Sequence, residues 1–339
     1  MPCYSLPMNT RDIFMAKVRR GEAPRAGIGT ATSIVTTDLM EAAGASFPEA
    51  HLEPEAMFRL ALAGHAILGF DNVMPLFSVW HESAALGCTV DWGHSRLMPD
   101  GHALCSSIDD AFAVPPDFLD APSCTVPLRA LERLKRELGG DAAVIGKVFG
   151  PWTLAYHVFG VQEFLMATLL NPGRVRQILR QLTEVTVRFA RAQIDHGADA
   201  LCLADHCTRD LCSPAAYRDF LAGIHRELHE RIPCPLILHI CGDTADRLEA
   251  IRGTGIDCFH FDAKVPADRA RELAGGTLAL MGGTSNIAIV RNGTPEAIER
   301  DVADKLRAGI DIVGPECAVP LDAPYRNLRL LADCARKRM

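Results

Sequence analysis

Eight short apolar runs, separated by helix-like stretches, restrict this 339-residue chain to a few folds. The runs fall at 26–35, 72–77, 143–149, 200–205, 236–241, 258–262, 278–283 and 311–316. Each is continuous rather than alternating, as expected of parallel strands buried on both faces. Between them lie helix signals. Ser213-Pro214 and Thr294-Pro295 each put a capping residue before a proline at the first helical position. After Thr294, the residues Ile298, Val302 and Leu306 recur every fourth position, and Gly309 supplies a stop. Residues 243–251 read as a short helix. The pattern predicts an α/β fold, a (β/α)8 TIM barrel with an N-terminal extension and an insertion around 90–142. The insertion is expected to cover one end of the barrel and to carry a helix at about 127–139. A doubly wound sheet is the alternative, but no Gly-x-Gly-x-x-Gly follows a strand and no Walker loop is present. No break in composition divides the chain, so residues 1–339 read as one domain.

Charge and cysteine content narrow the function classes. The net charge is −7 and no Lys/Arg stripe stands out, so neither nucleic acid nor an anionic membrane is an expected partner. No apolar run reaches transmembrane length, and the opening Met1–Pro7 lacks the parts of an export signal, so a cytoplasmic location is expected. Twelve cysteines in a chain of this length, without a regular ladder, then read as reduced thiols, most of them small buried hydrophobes.

A TIM barrel carries its active site at the C-terminal ends of its strands. The fifth run ends in His239-Ile240-Cys241, whose first and third side chains point the same way. Gly242 lets the chain turn away. The eighth run leads to Cys317. Fifth and eighth strands both face the barrel axis, so these three residues can meet, and His-Cys-Cys makes a three-ligand zinc site with one position left for a substrate. By themselves, a His-x-Cys pair and a distant cysteine read equally well as buried core residues.

The segments His239-Ile240-Cys241-Gly242-Asp243-Thr244, Thr254-Gly255-Ile256-Asp257 and Asp262-Ala263-Lys264-Val265 resemble the corrinoid-dependent methyltransferases of the uroporphyrinogen decarboxylase superfamily. So do Gly314–Pro320, Ala323-Pro324, Asn327, the opening Asn9-Thr10-Arg11-Asp12, Gly69-Phe70-Asp71 through Glu82 with Leu86-Gly87-Cys88, and Asp205 with Ser213-Pro214. The likeness is to the methylcobamide:coenzyme M type and spans nearly the whole chain. It implies zinc on His239, Cys241 and Cys317, a methylcorrinoid as co-substrate, and methyl transfer to a thiol such as coenzyme M. The corrinoid would arrive on a separate protein, since no Asp-x-His-x-x-Gly signature occurs here, and the insertion is a docking surface for it. Two rivals stand beside this reading. One keeps fold and zinc but uses a methyl ether, a halomethane or a folate. The other is a non-metal decarboxylase, for which Arg25–Thr30 lacks the expected arginine-rich substrate loop.

Three carboxylates are candidate catalytic residues on this resemblance: Glu82 as a polar group of the pocket, Asp205, which otherwise reads as a helix or loop cap, and Asp262, which either occupies the open zinc position until the thiol arrives or pairs with Lys264. His206 and Cys207 add soft donors beside Asp205 and depart from the family pattern. Met281–Asn286 departs mildly as well. His225 and His229, four apart on a helix, read as a solvated face. His157 and His260 have no assigned role, and Trp80-His81 fits pocket or core equally.

Overall fold

The structure is a computed structural model that describes residues 8–337. The heptapeptide read for an export signal, with Cys3, lies outside them. Among the described residues ten strands occur in chain order: β1 (Gly27–Ile28), β2 (Asn72–Val73), β3 (Thr89–Asp91), β4 (Asp100–His102), β5 (Ala143–Phe149), β6 (Ala200–Ala204), β7 (Leu236–His239), β8 (Cys258–Phe261), β9 (Ala279–Thr284) and β10 (Ile312–Pro315). Eight of them form one parallel sheet in the order β1-β10-β9-β8-β7-β6-β5-β2. Every residue of these eight strands is buried, which is why their sequences read as continuous, mostly apolar runs.

The seam between β1 and β2 is closed largely by side chains. Asp71 donates its N–H to the Ile28 carbonyl at 2.7 Å, and its carboxylate accepts from Ile28 N–H at 2.9 Å. The Asn72 amide pairs with both backbone groups of Thr30, at 2.8 and 3.1 Å. Arg25 sits on Asp71 through both guanidinium arms. This substitution explains two corrections. The expected strands 26–35 and 72–77 are each only two residues long, because carboxylate and amide groups take over where a ladder would run.

The predicted helix after Thr294 spans Pro295–Arg307, with the Thr294 hydroxyl accepting from Ala297 N–H. The helix expected at 127–139 instead runs over Pro122–Leu138, with Pro127 inside it. A proline there removes the N–H that would bond the carbonyl four residues back. That carbonyl, Ser123 O, lies 3.0 Å from His81 Nδ1, so the histidine takes the lost partner's place. This helix packs against Pro54–Ala66 and Pro172–Asp195, as a barrel helix does. The true insertion is therefore shorter than 90–142 and ends before Pro122. It contains the antiparallel β3–β4 hairpin. The short helix expected over 243–251 is displaced to Leu248–Arg252. The buried Arg247 holds the preceding loop down by donating to the carbonyls of Cys207 and Cys212, each at 2.7 Å.

Candidate metal centre

The C-terminal ends of the barrel strands surround a cavity of about 270 Å³. His239, Cys241 and Cys317 meet on its wall. His239 Nε2 lies 3.2 Å from Cys241 Sγ and 3.3 Å from Cys317 Sγ, and the two sulfurs are 3.2 Å apart. Among the described residues, this is the one cluster of three His, Cys or carboxylate donors placed to hold a metal ion.

Backbone geometry sets the triangle. β7 ends on His239, and Gly242, with φ of 82°, turns the chain so that Cys241 faces the cavity. A positive φ of this kind is costly for residues with a Cβ. Asp262 fixes that turn. Its Oδ2 accepts from Gly242 N–H at 2.8 Å, and its Oδ1 accepts from Lys264 N–H at 2.9 Å. Both carboxylate oxygens thus serve backbone amides, and the contact to Lys264 is to its main chain, not its ammonium.

The Cys317 loop is held by two residues that the sequence reading missed. Glu316 accepts from the N–H groups of Asn286 and Ala263, at 2.7 and 2.9 Å. Asn286 in turn donates to the carbonyls of Cys317 and Ala318, at 3.2 and 2.8 Å. Their signal was position alone: a carboxylate adjoining Cys317, and an amide two residues past the end of β9, within which the expected glycine turn in fact lies.

His239 is oriented from behind. Its Nδ1 lies 3.1 Å from the His260 carbonyl, which leaves Nε2 for the cavity. The His260 ring lies tilted against that of His239, centroids 4.6 Å apart, and its Nε2 is 2.8 Å from Pro315 O. His260 thus links the ends of β7 and β10 beneath the three donors.

Burial opposes charge on His239, but the Cys317 sulfur and the His260 carbonyl outweigh it and raise its pKa. At Cys317 the hydrogen bond from Cys241 outweighs burial and holds the thiol well below its usual range. The same contact, together with burial, pushes Cys241 up. The two shifts run in opposite directions because a second negative charge would lie only 3.2 Å from the first. A divalent cation removes that restriction and takes both as thiolates.

The remaining candidates are dispersed. Asp205 reaches the cavity wall, but its oxygens are engaged. Oδ1 accepts from the Thr153 N–H and hydroxyl at 2.9 and 3.0 Å, and Oδ2 lies 3.0 Å from His225 Nε2. His225 Nδ1 then meets the Tyr217 hydroxyl at 3.0 Å. The solvated-face reading of His225 is therefore corrected: it is fully buried, with the third partner that its helix alone did not reveal. His229 is half-buried and lies 3.5 Å from Asp257.

Glu82 is fully buried and does not line the cavity. One oxygen accepts from Phe149 N–H at 2.8 Å, the other has no partner, and burial pushes its pKa up to about 7. His206 and His157 line the cavity, both with pKa lowered, chiefly by burial. His157 stacks on Trp80 at 4.1 Å and meets the Ser83 hydroxyl at 2.6 Å. Cys207 lies apart from the three donors, buried, with its S–H toward the Asp205 carbonyl.

Residues 9–338 match the uroporphyrinogen decarboxylase family. The chain belongs to that family. Within it, the chain is 34% identical over 297 residues to a methylated-thiol–coenzyme M methyltransferase of Methanosarcina mazei, covering 87% of this chain and 80% of the relative. It is 29% identical over 306 residues to the methylcobamide:CoM methyltransferase MtaA of Methanosarcina barkeri, covering 89% of each. A solved methyltransferase structure from Methanosarcina mazei superposes with a TM-score of 0.94 at 26% identity, over 98% of this chain and 99% of the other. The resemblance read from the sequence, to the corrinoid-dependent methyltransferase branch of the family, therefore holds, as does the TIM barrel.

Proposed function

We propose that this protein is a zinc-dependent methyltransferase that moves a methyl group between a protein-bound methylcorrinoid and a small thiol such as coenzyme M. The supporting observation is the His239–Cys241–Cys317 triangle, closed on the protein side and open on the cavity side.

The donor set suits zinc. One imidazole and two sulfurs are its usual partners, and a carbonyl behind the imidazole is its usual outer support. Zinc bonds of about 2.3 Å to sulfur and 2.0–2.1 Å to nitrogen require donor edges of about 3.5–3.8 Å. The edges of 3.2–3.3 Å need open by only a few tenths of an ångström. When bound, zinc supplies acidity to an incoming thiol while leaving its sulfur nucleophilic.

The chain's own groups do the rest. Asp262 and Gly242 hold Cys241 in place, Glu316 and Asn286 hold Cys317, and the His260 carbonyl aims His239. Phe77, Val79, Met98 and Phe149 make one wall apolar, which limits water at the sulfur. Asp205 acts as a positioning residue for the Thr153 and His206 side of the cavity, and Glu82 as a buried acid beneath the wall. In the reaction the thiol proton leaves for solvent and an S–CH3 bond forms. The Co–C bond breaks with both electrons staying on cobalt. A cavity of this size takes a small acceptor, so the corrinoid is held by a partner protein at the rim. We place the enzyme in the reducing cytoplasm as one domain over 1–339. None of the described cysteines is in a disulfide.

Mixing the purified protein with methylcobalamin and a panel of thiols tests the reading. Loss of the methyl-cobalt absorbance with one thiol is expected and would name the acceptor. No exchange with any thiol overturns it.

A further inference from the structure

The triangle of His239, Cys241 and Cys317 is open toward the cavity, and one further soft donor stands on that side. β6 runs parallel to β7 with Ala204 opposite His239. Pairing continues past the strand ends, where Asp205 N–H donates to His239 O at 3.1 Å. Residues two apart in an extended chain point the same way. His206 therefore follows Ala204 toward the cavity as Cys241 follows His239, and both line it. The two loops stay side by side beyond that point, since a Cβ on Gly242 would lie 3.8 Å from Thr208 Cβ.

The His206 main chain is fixed while its ring is not. Its N–H donates to Thr153 Oγ1 at 2.6 Å, and that hydroxyl donates to Asp205 at 3.0 Å. Among the described residues the imidazole makes no hydrogen bond, ion pair or ring contact. It stands back from the triangle but feels the charges of Cys317 and His239. Burial favours its neutral form, the form in which an imidazole binds a metal. The other donors near the opening are taken. Asp205 serves Thr153 and His225, and His157 serves the Ser83 hydroxyl and stacks on Trp80. Asp262, the carboxylate considered for the open position, is bonded through both oxygens to the amides of Gly242 and Lys264.

Building on the proposed function, we infer that His206 is the fourth protein ligand of the zinc until a thiol displaces it. Rotation of the side chain carries a ring nitrogen to the open position while the main chain stays on Thr153. When the thiol binds, the bond from His206 nitrogen to zinc breaks and a sulfur–zinc bond forms. The thiol proton leaves for solvent, and the neutral ring returns to the cavity wall. His206 thus guards the metal against loss between turnovers and gives way only to a better donor.

Zinc-edge X-ray absorption on the purified full chain, supplied with one equivalent of zinc, tests this by counting imidazoles. Wild type without thiol is expected to show two sulfurs and two imidazoles. His206→Ala shows two sulfurs, one imidazole and one light atom that is not imidazole. In competition with a chelator, the variant holds zinc at least about tenfold more weakly. With 2-mercaptoethanesulfonate added, both proteins converge on three sulfurs and one imidazole. His206→Gln repeats the series should the alanine variant not fold. A single imidazole in thiol-free wild type, or two imidazoles retained in the variant, removes this inference alone. Two imidazoles retained in wild type with thiol present, or a protein that takes up no zinc, overturns the proposed function with it.

Discussion

Two histidine-bearing regions of this barrel show opposite electrostatics. At the mouth, His239 faces two sulfurs and its pKa rises despite burial. Below the insertion, His51 and His81 lie among Phe47, Phe77 and Trp92, and burial drives their pKa down to about 2 and 3. His51 has no partner on either ring nitrogen, and His81 has one. Burial is common to both regions; the charged partner is not. The difference separates a set of donors suited to a cation from a core that tolerates polar rings.

Perturbing each region should give different kinds of loss. The largest expected effect is at the mouth. His239→Ala and Cys317→Ala should each remove the metal and lower methyl transfer more than about 100-fold, with the fold intact by circular dichroism. Zinc analysis checks this: about one zinc per chain in wild type and little in either variant. A full complement in both variants would remove these ligands from the account.

Asp205→Ala strands the buried His225 and should destabilise the protein by about 3 kcal/mol in denaturant titration, with zinc content per folded chain unchanged. Coupled loss of zinc would join Asp205 to the metal centre.

Glu82 gives a pH signature of the buried region. Its pKa rises from an ordinary 4.5 to about 7, with burial the main cause. Between those values the native state keeps a proton that the unfolded chain has released, so stability falls as pH rises. Its contribution is complete below about pH 4.5 and lost above about pH 7. Glu82→Gln should flatten that slope and raise stability at pH 8 by up to about 3 kcal/mol. An unchanged slope would mean that Glu82 is ionised in the native state. The smallest effect is expected at His51. With no hydrogen bond to lose, His51→Leu should shift stability by less than about 1.5 kcal/mol in either direction.

The same contrast explains what could be read from sequence. The 143–149 run matches β5 residue for residue, because a strand buried on both faces is apolar at nearly every position, here at all but Lys147. The first two runs overshoot because Asp71 and Asn72 act as backbone surrogates, which hydropathy does not register. The helix start at Pro122 was hidden by Pro127, whose missing donor is replaced by His81, more than forty residues away. His239, Cys241 and Cys317 were readable because the barrel's topology says where strand ends meet. His225 was misread because its partner, Asp205, lies on another element.

The proposed function requires an open zinc site whose free position takes a thiol sulfur. Zinc-edge X-ray absorption on the purified protein, before and after adding 2-mercaptoethanesulfonate, tests it most directly. Expected around the zinc are two sulfurs, the imidazole nitrogen of His239 and one further light atom, with a third sulfur replacing that atom on addition. A protein without zinc, or a shell unchanged by the thiol, would contradict it.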